Sequence, residues 1–233
     1  MPKYLQVKSA LSRWIEGFEQ GEALPSEVEL AKVFGVSRVT MRKAQSELVM
    51  EGKLDRAQGR VTRMAQAKVS LRVGLVSHAE ALREEGRSVV RTVLDHGLAA
   101  ADREVAAALA VPAASEVLAV RRLVTVDGVP LALYTDYLPT ALFPVLPSVE
   151  QLGGSLTVWM AGAGVAVAGF RQRVETAPMS HDATQLLDVP ASTAALVVHH
   201  VAYDGEGRNV LHARSVYRGD RVELSYEITA SNT

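Results

Sequence analysis

The sequence has 233 residues, a net charge of −1 and no cysteine, so it is long enough for two domains of ordinary size and excludes disulfide bonds, thiolate metal sites and a thiol nucleophile. No stretch reaches the roughly 18 consecutive apolar residues of a membrane-spanning helix. Residues 1–23 are charged and amphipathic throughout and show no signal peptide, so we expect a cytoplasmic protein without a membrane partner.

The first predicted element is a helix from Tyr4 to Gln20. Apolar residues recur along it at the spacing of one helical face, which is typical of a helix that packs into a small helical core. We therefore expect this face to be buried. Its members are Val7, Leu11, Trp14, Ile15 and Phe18.

A short second helix follows Pro25. Ser26 and Glu29 have the spacing of a capping box, in which each side chain bonds a backbone N–H of the other residue. Gly35 ends the apolar run and leaves a tight turn before Ser37. Two helices joined by a glycine-containing turn predict a helix-turn-helix.

The third helix is predicted to begin after Ser37, a favourable N-cap residue, and to run to Leu48. Met41, Ala44 and Leu48 form its apolar stripe. A polar and cationic face suits phosphates and the guanine edge in the major groove, although such a face alone is also typical of solvated surface. The residues predicted to face outward are Arg38, Thr40, Arg42, Lys43, Gln45 and Ser46.

Residues 52–62 read as a strand, a polar turn and a second strand, which predicts a wing. Its tip, Gln58-Gly59-Arg60, places a cation beside a backbone that can approach DNA closely. Residues 1–64 hold 11 basic against 8 acidic residues, whereas the remainder holds 14 against 18. This asymmetry favours a DNA-binding domain at 1–64, a small polar linker at 65–70 and a second domain at 71–233.

The second domain contains an internal repeat. A short helix ending at Pro112 precedes strands at 117–126 and 129–138, and the same order returns after Pro190 with strands at 195–203 and 209–217. The two prolines are 78 residues apart. Two copies of a helix and hairpin predict one antiparallel sheet with a pseudo-twofold axis, helices on one face, and a ligand cleft where the halves meet.

No catalytic motif is visible. The sequence lacks His-Glu-x-x-His, Gly-x-Ser-x-Gly and a phosphate-cradling glycine-rich loop. His199 and His200 are adjacent in a predicted strand, so their side chains point to opposite faces and cannot jointly chelate one metal ion. We therefore expect no enzymatic activity, no metal site and no cofactor.

The N-terminal third resembles the winged-helix domain of GntR-type bacterial transcription regulators. This resemblance implies base or phosphate contacts by Ser37, Arg38, Thr40 and Arg42, with Gln58 and Gly59 placing the wing in the minor groove. Lys43 on the third helix and Arg60 at the wing tip are also predicted to bind DNA, because each adds a cation that suits phosphate. Val28 and Val61-Thr62-Arg63 depart from the family pattern. The matching residues are Leu24-Pro25-Ser26-Glu27, Glu29-Leu30-Ala31, Phe34-Gly35-Val36-Ser37-Arg38, Thr40-Met41-Arg42, Leu48, Glu51-Gly52, Leu54 and Gln58-Gly59.

The remainder resembles the UTRA effector-binding domain of the HutC-like branch of these regulators, which is related in fold to chorismate lyase. The resemblance implies an α+β chain: a winged helix-turn-helix, then an antiparallel sheet with helices that binds a small, often anionic metabolite. The matching residues are Asp127-Gly128-Val129-Pro130-Leu131-Ala132, Tyr137-Leu138-Pro139, Gly154-Ser155-Leu156, Leu187-Asp188-Val189-Pro190 and Tyr217-Arg218-Gly219-Asp220-Arg221.

Within this domain the resemblance places the family's phosphate-binding arginine at Arg122 and pocket residues at Ser155 and Tyr217. The alternative for Arg122 is a strand residue that faces water. Ser77 and His78 precede a predicted helix at 79–85, whose free backbone donors suit an anion.

The predicted pocket departs from the sugar-phosphate binders of the branch. Val124 occupies the position of a second arginine in those binders. Tyr134 replaces an acidic residue that would bind sugar hydroxyls, and Thr157 replaces a tyrosine. These departures favour a smaller anion such as phosphate or a phosphonate over an amino-sugar phosphate, and Tyr134 joins the predicted effector-binding residues.

The leading hypothesis is a homodimeric repressor that binds a pseudo-palindromic operator in double-stranded DNA and is released by a small anionic effector. We expect it to control a transport or catabolic operon, in the first place one for phosphate or phosphonate uptake or metabolism. The alternatives are a regulator that responds to a sugar phosphate or carboxylate, a chorismate-lyase-like enzyme with a DNA-binding appendage, and a constitutive architectural DNA binder.

Overall fold

The computed structural model describes residues 2–55, 61–65, 68–72 and 78–225, without the side chains of Arg72 and His78. The chain divides into two compact units. The first comprises Met1–Ser70, Pro178–Ala194 and Gly219–Glu223, and the second comprises Leu71–Ala177, Ala195–Arg218 and Leu224–Thr233. No helix in the described part of the chain is both long and apolar enough to cross a membrane.

The first unit begins with three helices, α1 (Lys3–Trp14), α2 (Glu27–Val33) and α3 (Arg38–Met50). Helix α1 is shorter than predicted: a 3₁₀ turn at Ile15–Gly17 follows it, and Phe18 is extended. Glycine is a poor helix former, which accounts for an end near Gly17 rather than Gln20. The buried side chains between the helices are Val7, Leu11, Ile15, Leu30, Met41, Ala44 and Leu48.

Trp14 is only partly buried, so its predicted place in the core is wrong in part. Its side chain is 37% exposed, and its ring lies 4.6 Å from that of Phe18 and 6.1 Å from that of Phe34. The indole therefore closes the margin of the helical core by aromatic contact rather than filling its centre.

The predicted capping box of Ser26 and Glu29 is confirmed, as is the predicted N-cap at Ser37. The Ser26 hydroxyl accepts a hydrogen bond from the Glu29 N–H, and the Glu29 carboxylate accepts one from the Ser26 N–H. Gly35 then takes φ +62°, a left-handed conformation that glycine adopts without steric cost. This turn sends the chain directly from α2 into α3.

The wing is an antiparallel pair formed by β1 (Leu54–Asp55) and β2 (Arg63–Met64). The pairing Leu54↔Met64 confirms the two antiparallel strands of the predicted wing, but the second strand begins at Arg63, beyond the predicted limit at Thr62. The first unit also contains α8 (His181–Leu186). A separate two-stranded sheet pairs β3 (Val69–Arg72) with β10 (Val222–Ser225).

The second unit is built on a six-stranded sheet in the order β4-β5-β6-β9-β8-β7, preceded by α4 (His78–Glu84). Hairpin neighbours are antiparallel, and β6 pairs with β9 at the centre, where the two halves of the sheet meet. The strands are β4 (Val89–Ala100), β5 (Glu116–Val126), β6 (Val129–Pro139), β7 (Val167–Pro178), β8 (Ala194–Asp204) and β9 (Asn209–Arg218).

The internal repeat is confirmed and is longer than predicted. Helix α5 (Arg103–Leu109) and α8 are preceded by the edge strands β4 and β7, which begin 78 residues apart at Val89 and Val167. Each copy is therefore a strand, a helix and a hairpin. The sequence did not reveal the edge strands, because apolar and polar residues do not alternate regularly along them.

The prediction that helices cover only one face of the sheet is wrong. Val117 packs with α5, whereas its neighbour Leu118 packs with α6 (Val149–Gly153) and α7 (Leu156–Gly162). Adjacent strand residues point to opposite faces. The sheet therefore has α5 on one side and α6 with α7 on the other.

Candidate nucleic-acid interface and ligand site

The start of α3 is fixed by Ser37 and Thr40. The Ser37 hydroxyl accepts a hydrogen bond of 3.2 Å from the Thr40 N–H and shares a second of 2.9 Å with the Thr40 hydroxyl. Both side chains lie at the first turn, where backbone N–H groups lack helical partners. Hydroxyls and free donors at one helix end suit the phosphate of a nucleic acid.

Two arginines project from the same end of α3. Arg42 donates two hydrogen bonds of 3.0 Å to the Glu27 carboxylate, and Nε of Arg38 lies 3.7 Å from the same group. The arginine side chains are 57% and 63% exposed, whereas that of Glu27 is 11% exposed. A nearly buried carboxylate on α2 thus orients two accessible cations on α3.

Lys43 points elsewhere on α3. Its Nζ lies 4.0 Å from the centre of the Tyr4 ring, in cation–π contact with α1. Gln45 was predicted to face outward, and this prediction is wrong, because the residue is only 1% exposed. Its Oε1 has no hydrogen-bond partner among the described residues. It lies one position after Ala44 and widens the buried stripe of the helix.

The wing tip residues Gln58, Gly59 and Arg60 lie outside the described residues, as does Ser77. His78 begins α4, but its side chain is likewise outside the description. These five positions remain predictions.

Arg122 lies on β5 and is buried, so the alternative of a strand residue facing water is wrong. Its Nη2 lies 2.7 Å from Oδ2 of Asp136, and its Nε lies 3.2 Å from the same oxygen. Nη1 donates to the carbonyls of Leu152 and Gly154 at the end of α6, each at 3.2 Å. These four hydrogen bonds fix the guanidinium beside Gly154, the residue that precedes Ser155.

Tyr134 and Tyr217 meet beside this arginine. Their hydroxyl oxygens are 2.9 Å apart, and the Tyr134 ring centre lies 5.9 Å from Cζ of Arg122. Burial raises the pKa of both phenols, that of Tyr217 strongly. Both side chains are therefore neutral and able to donate or accept hydrogen bonds at neutral pH.

Ser155 caps α7: its hydroxyl accepts a hydrogen bond from the Val158 N–H and lies 2.9 Å from the hydroxyl of Thr157. Through the Gly154 carbonyl this cap is tied to Arg122. Four of the six predicted effector-binding residues, Arg122, Tyr134, Ser155 and Tyr217, therefore belong to neighbouring elements of one unit.

Two residues of this site were missed by the sequence prediction. Asp136, the partner of Arg122, lies two residues beyond Tyr134, which pairs with Arg122 across the hairpin, so the hairpin register could have identified it. Arg91 on β4 pairs in register with Val124 and lies on the same face as Arg122; its Nη2 is 2.9 Å from Glu80 of α4. It adds a second buried cation to the region.

A winged helix with oriented arginines at the start of its third helix, followed by a separate α+β unit with buried cations, defines a DNA-binding transcription regulator. Comparison with known protein families identifies the family to which this regulator belongs. Residues 3–64 match the model of bacterial regulatory proteins of the gntR family, and residues 84–223 match the UTRA domain. The chain belongs to the GntR family of bacterial regulators and carries a UTRA domain.

The chain is 31% identical over 231 residues to the HTH-type transcriptional repressor PhnF of Mycolicibacterium smegmatis, covering 99% of this chain and 94% of the relative. It is 28% identical over 224 residues to the HTH-type transcriptional repressor NagR of Bacillus subtilis, covering 95% and 92%. The crystal structure of PhnF from Mycobacterium smegmatis has a TM-score of 0.67 and 30% identity, covering 97% of this chain and all of that one. These similarities identify a transcription regulator rather than a chorismate-lyase-like enzyme.

Proposed function

We propose that this regulator is a cytoplasmic homodimeric repressor that binds a pseudo-palindromic operator and is released by a small anion, phosphate or a phosphonate. In this proposal residues 1–64 bind double-stranded DNA, residues 65–70 are a linker, and residues 71–233 bind the effector and the second subunit. Two of the similar proteins are named repressors, which supports the direction of regulation.

The DNA-binding role depends above all on the carboxylate of Glu27, which orients Arg38 and Arg42 without covering them. An arginine presented in this way can bind O6 and N7 of guanine with both arms of its guanidinium. Ser37 and Thr40 are placed to bind the adjacent phosphate, and Lys43 lies one residue beyond Arg42. Gln58, Gly59 and Arg60 are proposed to follow the minor groove.

The effector role is supported by the buried cations of the second unit. Arg122 and Arg91 supply guanidinium donors, each oriented by a carboxylate, and the hydroxyls of Tyr134, Tyr217 and Ser155 supply donors and acceptors. Val124 lacks the charge found in sugar-phosphate binders, but Arg91 lies directly opposite it on β4. Charge-assisted hydrogen bonds from these groups suit a compact phosphorus anion.

The proposed dimer has support in the exposure of the edge strand β4. Val90, Leu94 and Leu98 are exposed there, although long unpaired edge strands with apolar side chains are prone to association. A second copy of this chain that covers β4 would remove this surface from water. Dimerisation also places two copies of α3 for two half-sites, about one turn of DNA apart.

The proposal is tested in two steps. First, the purified chain selects its operator from a random double-stranded DNA library; we expect two inverted half-sites, and a selected sequence without symmetry would contradict the dimeric binding mode. Second, the complex is titrated with phosphate, methylphosphonate, glucosamine 6-phosphate and urocanate while fluorescence anisotropy is measured. We expect a phosphorus anion without a sugar to release the DNA, with a coupling of about 1–3 kcal/mol. Release by the sugar phosphate or the carboxylate alone would overturn the effector assignment.

A further inference from the structure

A cluster of three potential metal ligands lies on the α5 side of the sheet. Glu104 comes from α5, His199 from β8 and His212 from β9, and one ligand atom from each lies within 4.8 Å of the other two. His212 pairs with Val201, so it shares a sheet face with His199, two residues before Val201. The cluster is therefore on the face opposite to Arg122.

His199 is held in the orientation of a metal ligand. Its Nε2 lies 3.0 Å from Oε1 of Glu175, and its Nδ1 lies 3.9 Å from Oε1 of Glu104. The Glu175 carboxylate can only accept a hydrogen bond, so Nε2 donates to it and Nδ1 is the ring nitrogen that faces Glu104. This carboxylate–histidine arrangement is the one that orients zinc-bound histidines in other proteins.

His212 is the most buried member of the cluster, with 4% exposure. Its ring stacks between those of Tyr137 and His199, with centres 5.9 and 6.5 Å away. Its Nδ1 has no hydrogen-bond partner among the described residues, although an unpaired buried nitrogen is unfavourable.

The cluster opens to solvent through a shallow pocket of about 270 Å³. Two arginines line it, but both are engaged: Arg173 lies 2.9 Å from Glu175, and Arg171 donates to Asn209 at 2.6 Å. The carboxylate of Glu104 is mostly exposed and can rotate towards the histidines. A cation entering from solvent can therefore meet all three ligands.

We propose that Glu104, His199 and His212 bind one Zn²⁺ ion, with Glu175 as a positioning residue and a water molecule as the fourth ligand. Two nitrogens and a carboxylate oxygen are an established zinc ligand set. Ligands at about 2.1 Å in a tetrahedron are roughly 3.4 Å apart, so small side-chain rotations close the observed spacing. The sequence prediction of no metal site considered only His199 with His200, whereas these ligands come from three separate elements.

The site is tested on the untagged full-length protein after treatment with EDTA. Zn²⁺ binding is measured by isothermal titration calorimetry, and the metal retained after desalting is measured by mass spectrometry. We expect one Zn²⁺ per chain and a raised melting temperature, since a ligand that binds only the folded state stabilises it. The Glu104→Gln variant, which changes an exposed side chain, should bind at least about tenfold more weakly, because it removes one of the three protein ligands that the metal needs.

The matched control variants are Glu150→Gln and His181→Gln, which change exposed residues outside the cluster. Both should bind Zn²⁺ as the unaltered chain does, whereas His199→Gln should lose the site. Glu175→Gln should weaken binding roughly 10- to 100-fold while the visible absorption of the Co²⁺ form still reports four ligands. Binding of less than one Zn²⁺ per chain, or equal affinity in the Glu104→Gln and Glu150→Gln variants, would overturn the proposal. Because no DNA or effector is present, the result is independent of the proposed repressor function.

Discussion

The guanidinium of Arg42 donates to both carboxylate oxygens of Glu27, from Nε to Oε2 and from Nη2 to Oε1, each over 3.0 Å. This pair joins α2 to α3 at the surface proposed to meet DNA. The hydrogen bonds with Glu27 raise the pKa of Arg42, so the charge of the guanidinium is retained at any physiological pH. Arg38 lies near the same carboxylate but is not held by a fork.

Arg38→Ala is expected to lower the preference for the operator over other DNA, because Arg38 is the less restrained arginine and can reach a base edge. Loss of one bidentate base contact corresponds to about 1–3 kcal/mol of discrimination. Fluorescence anisotropy with the selected operator and a scrambled duplex measures this. Arg13→Ala changes an exposed arginine on α1 and is the control. Equal operator affinity in the two variants would contradict the role of Arg38.

Glu27→Gln is expected to lower the ratio of specific to non-specific affinity. The amide keeps the size of the side chain but accepts from one arm of Arg42 only, so the guanidinium loses its fixed orientation. Removing a negative charge near the DNA also strengthens non-specific binding. Affinities for operator and scrambled duplex over a salt series give the ratio, and an unchanged ratio would show that Glu27 only stabilises the fold.

Ser37 combines a structural and a proposed DNA-binding role, which two substitutions separate. Ser37→Ala should lower the free energy of unfolding by about 1 kcal/mol, because the cap of α3 is lost. Ser37→Asp keeps a capping oxygen but adds a negative charge, so it should retain the melting temperature and lose operator binding by repulsion from phosphate. Ser180→Asp changes the N-cap of α8 and is the control. Full operator binding by Ser37→Asp would place Ser37 away from the DNA.

Local features of the fold were predictable from the sequence, because their causes lie within a few residues. The capping box of Ser26 and Glu29, the left-handed Gly35 and the repeat around Pro112 and Pro190 are of this kind. The burial of Gln45 was not predictable, since its polarity argues for the surface and only tertiary packing decides otherwise. Helical periodicity places position 45 at the margin of the stripe, where either outcome is possible.

The ligand site was predictable only in part. The resemblance indicated Arg122, but its partner depends on the register of β5 with β6, and the contribution of Arg91 depends on the edge strand β4. The cluster of Glu104, His199 and His212 combines helix α5 of the first repeat with the β8–β9 hairpin of the second. Such arrangements are fixed by the sheet order, which sequence periodicity alone does not determine.

Arg122→Ala is expected to lower stability as well as effector response. Asp136 would remain buried without its partner, and breaking a buried ion pair in this way costs about 3–5 kcal/mol. The double variant Arg122→Gln/Asp136→Asn removes both charges and should recover most of the melting temperature. It should bind the operator and fail to release it on addition of phosphate or methylphosphonate. Arg208→Ala, which breaks the Arg208–Asp204 pair elsewhere on the sheet, should still respond to the effector. Normal release in the double variant would remove Arg122 from the effector site.

The Tyr134–Tyr217 pair predicts a loss of stability at alkaline pH. Burial raises the pKa of both phenols in the folded state, whereas in the unfolded chain they ionise near pH 10. Their contribution to stability is therefore complete below about pH 10 and falls as the pH rises further, because the unfolded chain loses protons that the folded chain keeps. Urea unfolding between pH 7 and 11 should show this decline, and the double variant Tyr134→Phe/Tyr217→Phe should reduce it. As the pH rises, the phenolate absorbance should increase in two stages: the more accessible tyrosines ionise first, and Tyr134 and Tyr217 ionise when the protein unfolds. If every tyrosine ionises while the protein remains folded, burial does not hold the pKa of this pair above that of the unfolded chain, and the prediction is wrong.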